Sequence, residues 1–198
     1  QNLAEELGSD PVTGAGAVCA DMVEEIDRLA SVTSRLVDFA RPVALDRQSV
    51  EVESLVRRVA TLATSSAPAH LRFEVEGPPG LTVRADPDLL AQVLLGLVEN
   101  AVAASPESGR IRLTWRAGAV AGGEPVELRI EDEGPGVAAA VAAQIFEPFF
   151  TTRPDGHGLG LAVARHLVEA HGGTLDVVTG GGGGELAGGL FVVRLPGS

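Results

Sequence analysis

The chain has 198 residues, with 15 basic against 27 acidic side chains and a net charge of −12. That length predicts one domain and something smaller, and 45% hydrophobic residues with a mean hydropathy of +0.21 supply enough apolar matter for a core. A single cysteine, Cys19, excludes a disulfide framework; the acidic balance argues against a nucleic-acid surface; and because every basic residue is Arg, a Walker-type P-loop and a Lys Schiff base are both excluded.

In chain order, Gly8-Ser9-Asp10-Pro11 reads as a turn, with Gln1–Leu7 as the tail of a preceding helix. Val18, Met22, Ile26, Leu29, Thr33, Leu36 and Ala40 then recur at spacings of four and three, flanked by a second stripe of Val23, Ala30 and Val37. Two stripes suit a helix in a bundle, which calls for a hairpin partner and a second copy of the chain. Pro42 ends it. The expected division is 1–42 as the C-terminal part of a helical hairpin, 43–48 as linker and 49–198 as a second domain.

Beyond the linker, Val52–Thr64 has the helical period, and His70–Glu76 and Thr82–Ala85 alternate as strands. Asp86-Pro87 starts a helix that runs to about Ala104, with Asp as cap and Pro in the first turn. Its apolar run, Leu89–Val98, is about ten residues, short of the ~20 that span a bilayer. Ile111–Trp115 and Val126–Ile130 read as strands, and Leu159–Ala170 as a helix stopped by Gly172-Gly173. Thr174–Val178 and Leu190–Leu195 close as a hairpin whose tip holds the run Gly180–Gly184.

Four segments carry chemistry. Glu99 and Asn100 sit inside an otherwise apolar helix, with Gly96 one turn before Asn100 on the same face. Asp132, Gly134 and Gly136 follow a strand, a pattern that sets an acceptor beside closely approaching backbone. Phe146-Glu147-Pro148-Phe149-Phe150-Thr151-Thr152-Arg153 puts an apolar plug next to a polar loop. Gly156, Gly158 and Gly160 lead into a helix, whose N-terminus offers N–H donors to an anion. Each alone is a weak signal.

Taken together, in this order, the four resemble the asparagine, first glycine, phenylalanine and second glycine boxes of the ATP-binding domain of bacterial sensor histidine kinases, within the gyrase, chaperone and mismatch-repair ATPase superfamily. Arg84–Leu95 fits the run into the asparagine box, and Leu36–Pro42 looks like the end of the family's second dimerisation helix. The resemblance implies an α+β fold: a two-layer α/β sandwich, with a mixed, largely antiparallel sheet and three helices on one face, preceded by a helical dimerisation segment. It implies ATP and Mg²⁺ as cofactors. Asn100 would hold the metal, and Asp132 would accept from the adenine amino group, with Gly134 and Gly136 beside the base. Phe149, Thr152, Arg153, Gly156, Gly158, Leu159 and Gly160 would form the wall and lid over the phosphates. Arg153 would meet the γ-phosphate, and Glu99 the metal's water shell or a lid Arg. The implied reaction is phosphoryl transfer to a His and on to an Asp of a response regulator receiver domain. This segment would be cytoplasmic and would form a homodimer through its helical bundle, with no nucleic-acid or membrane contact of its own; the resemblance leaves open a membrane anchor upstream in the parent protein.

The chain departs from the family pattern in three ways, one being that Ala103 and Ala104 stand where a basic residue often follows the asparagine box, which leaves more of the phosphate grip to Arg153. Gly96 stands where the family has Asn and where hydrolytic members carry a Glu base, so transfer is favoured over hydrolysis. None of His70, His157, His166 and His171 fits the acceptor motif. The favoured reading places the acceptor upstream of Gln1; a rival aligns Leu3–Val12 with the motif, Glu5 replacing His. The missing acceptor and Gly96 also support an alternative function, a non-catalytic nucleotide-binding scaffold. An anti-sigma serine kinase shares the ATP fold, but the long heptad helix argues against it.

Overall fold

The computed structural model describes residues 22, 44–118, 125–153, 156–179, 184, 186 and 188–197. The heptad helix and its stripes lie outside the described residues apart from Met22, which is helical. Residues Pro42–Ser198 form one compact unit.

Five strands make its main sheet, in the order β2 (Arg72–Glu76), β4 (Arg110–Ala117), β5 (Val126–Asp132), β7 (Leu190–Leu195), β6 (Thr174–Val178). Only β2 and β4 run parallel; every other pair is antiparallel. β1 (Gln48–Glu51) and β3 (Thr82–Ala85) form a separate antiparallel ribbon.

Three helices and the sheet share one core. α1 (Val52–Ser66) buries Val52, Leu55, Val56, Val59, Ala60 and Ala63, at helical spacing. α2 (Pro87–Ala104) buries Leu90, Val93, Leu94, Leu97, Val98 and Ala101. α3 (Gly160–Ala170) buries Ala162, Ala164, Leu167 and Val168. Against them lie Ile111, Leu113 and Trp115 of β4, Val126, Leu128 and Ile130 of β5, and Phe191, Val193 and Leu195 of β7. Alternate residues such as Arg112, Arg116, Glu127, Arg129 and Arg194 therefore occupy the other face, where Glu127 accepts from Arg116, Arg129 and Arg194 at 2.7–3.0 Å. This is the two-layer α+β sandwich that the resemblance implies.

Asp86 caps α2, its Oδ1 accepting from the amides of Asp88 and Leu89 at 3.1 and 3.2 Å. At 18 residues with a mean hydropathy of 1.3, α2 has the length and composition of a membrane-spanning helix, but its apolar face is the one packed into the core.

The linker reading of 43–48 is corrected at its end. Gln48 already pairs with Ala85 in β1, the Asp46 amide donates to Asp86 Oδ2 at 3.0 Å, and the Arg47 guanidinium donates to the Ala170 carbonyl at 2.8 Å. The segment is polar because it uses backbone and charged groups to dock, and the first buried residue after it is Val50 in β1. At the other strands the corrections are small. β2 begins at Arg72, after a turn in which the Leu71 amide donates to the Pro68 carbonyl, and β5 continues to Asp132, so that this carboxylate ends a strand.

Candidate functional site

Asp132 points to the same face of the sheet as Ile130, two residues earlier, and is buried. Its Oδ1 accepts from the amides of Gly134 at 2.7 Å and Gly189 at 3.1 Å. Oδ2 takes no hydrogen bond among the described residues. Burial pushes the carboxyl above its ordinary value, opposed by the two amides. A carboxylate with one oxygen held and the other open is an oriented acceptor.

Gly134 packs on the carbonyl of Ala104 at the end of α2, so close that a Cβ would lie 2.5 Å from that oxygen. The Asp132 turn is thereby held against the last turns of α2, where Asn100 lies. Asn100 is half-buried, and its side chain makes no hydrogen bond among the described residues. One turn earlier, a Cβ on Gly96 would meet nothing within 4 Å. Gly96 and Asn100 thus line an open strip of the helix, with an amide side chain free to ligate. Glu99 is exposed and pairs with nothing among the described residues.

The loop after β5 folds back on itself. Phe149 has a φ of 69° and 58% of its surface exposed; a non-glycine residue there stores strain. Its amide donates to the Gly158 carbonyl at 2.9 Å. Gly158 itself has a φ of 65°, and a Cβ on it would run into the Phe149 backbone, so this crossing requires glycine. Thr151 Oγ1 accepts from the Arg153 amide at 3.1 Å, and the Gly156 amide donates to the Arg153 carbonyl at 3.2 Å. Thr152 and Arg153 are exposed, and the Arg153 guanidinium pairs with nothing among the described residues. Leu159 is fully buried and anchors the loop; exposed Gly160 opens α3, whose N-terminus has no side-chain cap. With no side chain capping them, the first N–H groups of such a helix are of the kind that can receive an anion.

The structure so brings Asn100 and the Asp132 turn together through Ala104, and joins Phe149 to Gly158 within the loop that starts α3. Gly136 borders the same region, a Cβ on it lying 3.2 Å from the Gly188 carbonyl. Sequence reasoning missed the return of the β6–β7 connection. The Leu186 amide donates to Glu131 Oε2 at 3.2 Å, and Gly188 and Gly189 pack on Asp132. The signal was a Gly-Gly pair just before a strand, which acquires meaning only once β7 is known to lie beside β5. Of the glycine run at that tip, Gly180 to Gly183 lie outside the described residues.

The donor set fits Mg²⁺ and a nucleotide. No group of three or more His, Cys, Asp or Glu able to hold a metal exists among the described residues. A hard cation here would take the Asn100 oxygen and share the oxygens of an anionic ligand, as Mg²⁺ does.

Residues 85–197 match the model of the family described as "Histidine kinase-, DNA gyrase B-, and HSP90-like ATPase". The chain is 39% identical over 178 residues to the sensor histidine kinase ZraS of Escherichia coli strain K12, covering 88% of the chain and 36% of that protein. The chain therefore spans little more than a third of the length of the curated relative it matches. Among solved structures, the mycobacterial sensor histidine kinase MprB is 30% identical with a TM-score of 0.66, covering 76% of this chain and 97% of that one. Full-length ShkA in complex with AMPPNP is 34% identical with a TM-score of 0.75, covering 92% of this chain and 38% of that one.

Proposed function

The chain belongs to the histidine kinase-, DNA gyrase B- and HSP90-like ATPase family, and we propose that it is the ATP-binding part of a histidine kinase of a two-component system. The observation that carries this reading is the Asp132 carboxylate, with Oδ1 fixed by two amides and Oδ2 open beside the helix that presents Asn100. Oδ2 accepts from the exocyclic amino group of adenine, which a guanine lacks at that position. Asn100 holds Mg²⁺, which neutralises phosphate charge when bound. The α3 N-terminus and the Gly156–Gly160 backbone receive the phosphates, with Arg153 on the terminal one and Glu99 orienting water or a lid Arg. Gly96 offers no general base for water, so these residues position the terminal phosphoryl group for a protein acceptor. The acceptor is a histidine on a helical hairpin of the homodimer, and the next acceptor is an Asp of a response regulator receiver domain.

Among the four histidines of the chain, His171 is buried, His157 and His166 are half-buried, and His70 lies exposed in a turn before β2. None stands on an exposed helical face. Incubated with labelled ATP and Mg²⁺, the 198-residue chain should bind nucleotide but take up no acid-labile, base-stable phosphate. Adding a helical fragment that carries an acceptor histidine should give labelling of that fragment. Firm binding with no transfer to any such fragment would replace this reading by the scaffold one, and preference for GTP would remove the adenine assignment.

A further inference from the structure

His171 makes none of the proposed nucleotide contacts, yet it is only 2% exposed and uses both ring nitrogens. Nε2 faces the backbone N–H of Asp86 at 3.0 Å, so it accepts. Nδ1 therefore carries the ring proton and donates to the Leu167 carbonyl at 2.7 Å. The imidazole, held in that one tautomer, bridges the C-terminal end of α3 to the N-cap of α2.

Asp86 is committed in every direction at this point. Its amide goes to His171, its Oδ1 to the first turn of α2, and its Oδ2 to the Asp46 amide at 3.0 Å. The neighbouring Arg47 guanidinium takes the Ala170 carbonyl at 2.8 Å, where the end of a helix favours a cation. The chain entering the unit is so fastened to the same two helix ends that His171 joins. Burial and hydrogen bonding act against each other on Asp86: desolvation raises its carboxyl, the amides of Leu89, Asp46 and Asp88 lower it, and the result lies below its ordinary value.

Each helix has its nucleotide-facing residues away from this junction. Gly160 opens α3 eleven residues before His171, and Asn100 lies fourteen residues beyond Asp86. At 1.5 Å per residue those arms are about 16 and 21 Å long. A helix is stiff over such lengths, so a small tilt at the junction moves both far ends.

We infer that His171 is a positioning residue of the nucleotide site: by tying the end of α3 to the start of α2, it fixes the placement of the Gly156–Gly160 loop relative to Asn100, and makes that placement respond to the entering residues Asp46 and Arg47. This inference rests on the nucleotide reading of that site.

Two amide substitutions separate the two bonds. In His171→Gln the side-chain oxygen falls near Nε2 and can still accept from Asp86. In His171→Asn the shorter side chain can reach only Leu167. Binding of a fluorescent ATP analogue with Mg²⁺ is read for both, with ¹⁵N spectra of the histidine ring and hydrogen exchange at the Asp86 amide. The wild-type chain should show the Nδ1–H tautomer and a protected Asp86 amide. His171→Asn should lose that protection and bind about threefold to tenfold more weakly, while His171→Gln stays within about twofold of wild type. Arg47→Ala, at an exposed side chain, should weaken binding about twofold to threefold with an unchanged melting temperature, and supplies the reading if His171→Asn does not fold. Wild-type affinity in His171→Asn with the Asp86 amide deprotected would overturn the positioning role alone, as would wild-type affinity in Arg47→Ala for the entering chain. Absence of nucleotide binding by the unsubstituted chain would overturn the nucleotide reading and this inference with it.

Discussion

The Gly189 amide donates to Oδ1 of Asp132 at 3.1 Å, and a Cβ on Gly189 would lie 2.5 Å from Oδ2 of the same carboxylate. One residue thus holds the first oxygen and leaves room at the second. Burial raises the Asp132 carboxyl, so the folded state binds its proton more firmly than the unfolded chain does. Any stability from this group is present below the ordinary carboxylate range and lost as pH rises through the raised value; at neutral pH the ionised form works against the fold. Asp132→Asn keeps an acceptor for Gly134 and Gly189 and removes the charge. Its melting temperature at pH 7 should equal or exceed wild type, with the difference shrinking as the pH is lowered. ATP affinity should fall by about tenfold to a hundredfold, the loss of a hydrogen bond to a charged acceptor worth about 1.5–3 kcal/mol. Calorimetry showing unchanged affinity would remove Asp132 from the site.

Gly189→Ala tests the space at Oδ2 without touching any charge. The added methyl meets a carboxylate that Gly134 also holds, so the side chain must turn away from its present direction. ATP affinity should drop about tenfold or more, with about 1–3 kcal/mol lost from folding through overpacking. Retained affinity would mean that Oδ2 is not where the ligand binds.

Local chemistry makes some parts of this domain legible in the sequence and hides others. Asp86-Pro87 marks the start of α2 because cap and first turn are contiguous, and the strands with alternating apolar residues are legible at their cores. β1 is not, since Gln48–Glu51 buries only Val50 and its partner β3 is more than thirty residues away. His171 reads as a helix-end residue beside two glycines because its partner, the Asp86 amide, lies 85 residues back. Gly184, Leu186 and Gly188 belong to a stretch that composition marks as a pliant tip, yet Leu186 and Gly188 are buried against Glu131 and Asp132. Their role depends on the pairing of β5 with β7, which no local pattern encodes.

The Asn100 side chain makes no hydrogen bond within the described residues, so its removal should leave folding within about 0.5 kcal/mol of wild type. Its oxygen is proposed for the metal. Asn100→Ala should therefore weaken ATP strongly in Mg²⁺ and little in EDTA. Equal losses in both titrations would make it a contact to the nucleotide itself.

Glu127 tests stability apart from the site. It is buried on the face away from the helices, with Arg116, Arg129 and Arg194 on its two oxygens. Desolvation raises its carboxyl, the Arg116 and Arg129 guanidinium groups lower it, and the outcome is below the ordinary glutamate value. A lowered value gives stability that is present above the unfolded range and lost as pH falls through the folded one. Glu127→Gln should cost about 1–2 kcal/mol at pH 7, discounted for the partly exposed guanidiniums, and progressively less in acid. ATP affinity should not change. Equal destabilisation at pH 7 and in acid would show that packing, not charge, is what Gln disturbs.

Gly96 separates folding from chemistry at one position. It lies inside α2 with nothing within 4 Å of a built Cβ, so a side chain fits. Gly96→Ala should stabilise the fold by about 0.5–1 kcal/mol, from helix propensity alone, and leave nucleotide binding as it was. Gly96→Glu places a carboxylate one turn before Asn100, on the strip proposed to face the metal and phosphates. General-base assistance contributes about 10²–10⁴-fold where geometry is good. Even a fraction of that should make release of free phosphate from ATP clearly faster than in wild type or in Gly96→Ala. The test is phosphate release by the three proteins at saturating Mg-ATP, repeated with Gly96→Glu and Asn100→Ala combined in one chain to show that the gain depends on the metal ligand. If Gly96→Glu binds ATP but hydrolyses it no faster than Gly96→Ala, then the strip between Gly96 and Asn100 does not face the terminal phosphate, and the lid end of α3 alone must place it.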